Sequence, residues 1–203
     1  SGQRAGFRWM PVLGAVSALL IGTGGHMSYG VLHGYAQSDT FINYSYGLFT
    51  LFLQGGAWGC FAGAALGLLL ENKPVRLLEA LSAAAAVFAG GWLLWYLVYV
   101  VAGFDINPYR SNAATGYTGG VIALIAWLAL NRQPYGLRGA LLGFIGFGLG
   151  MSLGRLMANA ARVQDFFSIN DWNVMEMSVG LIGGFVFAFG MLGKPMPDPP
   201  EGR

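Results

Sequence analysis

Polar residues in this chain gather in short clusters separated by long apolar runs. Six runs stand out, at roughly 9–30, 46–70, 77–102, 113–130, 138–160 and 173–192. A helix needs ~20 apolar residues to cross the hydrocarbon of a bilayer, so each run predicts a transmembrane helix. The fourth is the least apolar, because "NAATGYTGG" opens it with small polar residues. "WMPVLGAVSALLIG" in the first has the length of a signal-peptide core, but as the first of six like segments it reads as a span. Two connections, "ENKPVR" and "NRQPYGLR", lie on one side, and "HGYAQSDTFINYS", "GFDINPYRSN" and "ARVQDFFSIND" lie on the other.

Composition agrees with the pattern. Only 10% of the residues are charged, 55% are hydrophobic and mean hydropathy is +0.55. A soluble domain carries about 25% charged residues, so this chain lacks the charge to cover a water-facing surface. The expectation is an all-α integral membrane protein in a single domain over 1–193, with a proline-rich polar tail at 194–203. Arg4, Arg8, Lys73, Arg76, Arg132, Arg138, Lys194 and Arg203 fall on the side of the termini, against Arg110, Arg155 and Arg162 on the other. Positive residues favour the cytoplasmic side. Both termini are therefore expected in the cytoplasm, in a bacterial inner membrane. A net charge of +2 gives no reason to expect nucleic acid as a partner.

A repeat is written over the spans. Gly55–Gly56, Gly119–Gly120 and Gly183–Gly184 recur every 64 residues. Asn43, Asn107 and Asn170, each preceded by Ile, follow spacings of 64 and 63. Pro11, Pro74 and Pro134 open the units, where a missing N–H is no loss to a first helical turn. Several marks on one period predict three tandem helical hairpins, roughly 9–70, 74–130 and 134–192.

The glycines predict how the hairpins pack. Gly55, Gly59, Gly63 and Gly67 lie four residues apart, as do Gly146, Gly150 and Gly154, and Gly180 and Gly184. In lipid, helices associate where small residues let backbones approach. Even-numbered spans are therefore expected to pack against odd-numbered ones through these stripes.

Candidate chemistry collects at the non-cytoplasmic ends. Asn112, Asp171, Asn173, Glu176 and His26 are the candidate contacts for a solute or ligand. Glu176 stands one turn inside the sixth apolar run, and ionisable groups at such depth face protein or water. Asn43, Asn107 and Asp171 read as helix caps, accepting from free first-turn N–H groups. His26 and His33 lie about 10 Å apart if helical, so each would ligate a haem or chlorophyll only singly. No cofactor is required. Cys60 is the lone cysteine, which excludes an intrachain disulfide. Two histidines and one cysteine supply no zinc cage. No nucleophile elbow, zincin motif or P-loop occurs, and no residue is assigned a catalytic role.

Three functions fit. The first is a channel or carrier for a small solute or ion, with an outer polar vestibule. The second is a non-catalytic structural or accessory subunit of a larger membrane complex. The third is an outer-face enzyme using Asp171 or Glu176 as acid or base. Expected partners are the lipid bilayer and other membrane proteins or copies of the chain, with the tail as a candidate contact.

Overall fold

A computed structural model describes residues 30–71, 75–104, 113–164 and 170–193. These residues are helical, with short connections and no strand among them. We number the helices α1 (Gly30–Tyr35), α2 (Phe41–Leu69), α3 (Leu77–Trp95), α4 (Ala113–Leu130), α5 (Pro134–Gln164) and α6 (Asp171–Leu192). A π-helical stretch, Tyr96–Val101, continues α3. Four helices are long and apolar enough to cross a membrane: α2, α3 with its π extension, α5 and α6. The expected fourth span is α4, at 18 residues about 27 Å long and slightly short of the hydrocarbon thickness. The expected first span and the tail lie outside the described residues.

Side chains close several helix ends. Glu71 Oε1 accepts from the backbone N–H groups of Tyr135 (2.7 Å) and Gly136 (3.0 Å), completing the first turn of α5. The Arg76 N–H donates to Glu79 at 2.8 Å in a capping box that starts α3. Arg138 Nε donates to the Gly190 carbonyl at 3.0 Å, tying the start of α5 to the last turn of α6.

Caps differ from the expectation in two places. Thr40 holds the extended position before α2, so Asn43 lies inside that helix and is exposed. Asn170 caps α6, accepting from Trp172 N–H at 3.0 Å. Asp171 is the first helical residue, and its carboxylate turns to another helix instead. Asn107 lies outside the described residues.

Helix packing is a matter of glycine. Along α2 and α5 the two backbones meet over four turns. A Cβ on Gly59 would collide with the Gly143 carbonyl, one on Gly63 with that of Gly139, and one on Gly67 with that of Tyr135. Gly55 admits the side chain of Met151. On α5, Gly146, Gly150 and Gly154 receive α6 at Gly183, Val179 and Met175. Gly90 and Gly91 of α3 meet Gly116 and Gly119 of α4. Gly180 and Gly184 depart from the expected packing: no described atom lies within 4 Å of a Cβ built on either. The residue turned onto Phe147 is Gly183, and at 100° per residue Gly180 and Gly184 fall on neighbouring faces.

A buried cluster of Ala57, Cys60 and Ala64 from α2, Val121, Leu124, Trp127 and Leu128 from α4, Ala83 and Ala140 fills the space among α2, α3, α4 and α5. A smaller one of Leu32, Ala36, Leu51 and Met151 seats α1 on α2 and α5.

Candidate functional site

The polar chemistry of the described residues concentrates where α1, α5 and the start of α6 converge. The centre is Arg155, completely buried within a span. Two side chains among the described residues meet it. Asn159 stands one turn along α5, on the same face, and its Oδ1 accepts from Arg155 Nε at 2.7 Å. Asn159 Nδ2 in turn donates to the Ala36 carbonyl at 2.9 Å, just beyond α1. Asp171 Oδ2 lies 3.5 Å from Arg155 Nη2, with 28% of its side chain exposed. One turn back along α5, Ser152 Oγ donates to the Leu48 carbonyl of α2 at 2.7 Å. A single stripe of α5 thus binds α1, α2 and α6.

His33 completes the cluster from α1. It is 1% exposed, and its ring meets Trp172 edge-on at 5.0 Å. Desolvation by burial, and then the positive charge of Arg155, hold its pKa down to about 4. The imidazole is therefore neutral at pH 7.

Buried charge needs compensation. Desolvating an ion costs several kcal/mol even after relaxation. Here the guanidinium is met by an amide oxygen and a carboxylate still open to solvent. The cluster can hold helices in register, keep an anion's complement out of water, and respond to an added proton.

The expected candidates disperse. Asp171 enters the cluster. Asn173 and Glu176 lie on exposed faces of α6, and no described residue forms an ion pair with Glu176. His26 and Asn112 lie outside the described residues. Among the described residues no three His, Cys, Asp or Glu side chains gather to hold a metal. In the sequence Arg155 counts only as a charge, and Asn159 stands in no motif. The signal was present: Arg155 is the one charge in the fifth apolar run between Arg138 and Arg162, with an amide four residues on.

The chain matches no protein-family model, no curated protein sequence and no solved structure.

Proposed function

We propose that this chain is a non-catalytic structural or accessory subunit of a larger membrane assembly. In this reading it has six transmembrane helices in three hairpin repeats, with both termini on the cytoplasmic side of a bacterial inner membrane. The observation that carries it is how the polar groups at membrane depth are used. Arg155, Asn159 and Ser152 join neighbouring elements, Trp127 donates to Ser82 across α3 and α4 at 3.0 Å, and Thr50 and Ser178 bond their own helices. The first four of these join elements, and the last two stay within one helix. The broad apolar wall of α3, from Leu77 through Phe88 and Trp92 to Val101, offers the surface for a partner helix.

The test is gentle extraction from native membranes and mass determination of the intact particle. Fixed partners in constant ratio support the reading. A chain that emerges alone or as a homo-oligomer, and conducts solute in liposomes, overturns it.

A second reading is a small-solute or ion channel or carrier with Asn112, Asp171, Asn173, Glu176 and His26 around an outer vestibule. It is favoured by the exposed carboxylate of Glu176 inside an apolar helix. Liposome flux that falls in a Glu176→Gln variant separates it from the first.

A further inference from the structure

Glu176 stands exposed on α6, a helix long and apolar enough to cross a membrane. No described residue forms an ion pair with it. A carboxylate at such depth is costly against lipid and is met by protein or by water. Trp172 lies one turn before it, on the same side of the helix. This is the residue whose ring meets His33 edge-on at 5.0 Å. α1 therefore touches α6 one turn from Glu176.

The direction of α1 indicates where the preceding residues head. Ala36 is bonded to Asn159, while His33 lies near enough to Arg155, one turn back along α5, to feel its charge. Further back, Gly154, Gly150 and Gly146 of α5 receive Met175, Val179 and Gly183 of α6 in turn. Followed backwards, α1 thus points down the length of α6. The chain before it is the first apolar run, roughly 9–30. His26 and His33 are the only basic side chains between Arg8 and Lys73. On one helix they share a face, because seven residues come within about 20° of two full turns. The face that carries His33 is turned to Trp172. Measured from that contact, His26 would lie about 10 Å along its helix, and Glu176 lies about 6 Å along α6. The two depths differ by less than one turn.

We infer that the helix continues back from Gly30 through the first apolar run, antiparallel to α6, and that His26 and Glu176 form a hydrogen-bonded pair between the two. One proton serves both groups, as imidazolium with carboxylate or as imidazole with carboxylic acid. The pair is neutral either way, which removes the cost of a lone carboxylate against lipid. Glu176 then ties the first span to the sixth, whether the chain is a subunit or a carrier.

Disulfide trapping of the full chain in lipid nanodiscs tests the placement. Cys60→Ser removes the native thiol, and His26→Cys is paired with Val179→Cys, seven residues on from Trp172 and so at the depth of His26. Oxidation should close a bridge within one chain, read by mass spectrometry of the linked peptides. The control, His26→Cys with Leu181→Cys on the 73% exposed side of α6, should stay reduced. No bridge, or equal trapping of both pairs, overturns the proposal. A covalent dimer also overturns it, and assigns the surface to a second copy. The pairing itself is read with native side chains. Glu176→Gln should shift the imidazole nitrogen signals of His26 more than those of His33, the only other histidine. Unmoved His26 signals sink the pair, and this measurement decides if the cysteine variants fail to fold.

Discussion

The seam between α2 and α5 and the pairing of α3 with α4 use the same residue type to opposite ends. Along α2, Gly55, Gly59, Gly63 and Gly67 each take up part of α5, so contact persists for four turns. Between α3 and α4 the glycines cluster at one crossing, Gly90 and Gly91 against Gly116 and Gly119. The consequence is visible in burial. Of the most apolar window of each helix, 61% is buried in α2 and 6% in α3. Only Ala83 and Gly91 of α3 are buried. In lipid, where apolar side chains gain little by leaving the solvent, cohesion follows the length of backbone contact. The first pair is a spine; the second is a hairpin leaning on it.

Substitutions should grade accordingly. Gly59→Val forces two backbones apart with no flexible side chain to yield, and should cost ~3 kcal/mol or more. Reversible unfolding in detergent would show it, and an unchanged stability would deny that the seam is the spine. Next is Asp171→Asn, which leaves Arg155 buried without its carboxylate. A loss of about 3 kcal/mol is expected. The double variant Asp171→Asn, Arg155→Met should recover part of it, since it also removes the buried cation that Asp171 faces. Gly119→Ala strikes the Gly90 carbonyl and Leu94, but α3 has an open outer side and can retreat. Its cost should be about 1–2 kcal/mol. Gly184→Ala enters open space and should stay within about 0.5 kcal/mol of wild type. A large loss there would mean that residues outside the described set, or another chain, cover that face.

Much of this was legible beforehand, and the limits are instructive. The membrane class followed from charge that is too scarce to face water. The stripe beginning at Gly55 reads as a packing surface, because four-residue spacing keeps small residues on one side of a helix, and Gly59, Gly63 and Gly67 each face a backbone carbonyl of α5. Its partner was not legible: α2 meets α5, a helix of a different predicted hairpin, and periodicity carries no information about which helix comes alongside. Gly180 and Gly184 misled because adjacent glycines at 183 and 184 permit two small-residue faces, and only the position of Phe147 selects between them. Asp171 was placed at the right helix end in the wrong role, because an Asn-Asp pair offers two caps and Arg155 draws one of them away. Arg155 itself was counted but not located. A charge is recognised as buried only when its neighbours are known.

The α2–α5 seam also carries a consequence for synthesis. α2 is made well before its partner, and the stretch from Leu70 to Gln133 must be made in between. At about 5–20 residues per second, the glycine face of α2 waits several seconds before α5 exists. During that time only α3 and α4 are completed. The order of the chain thus makes the α2–α5 joint one of the last to close, and it leaves a bare helix surface uncovered until then.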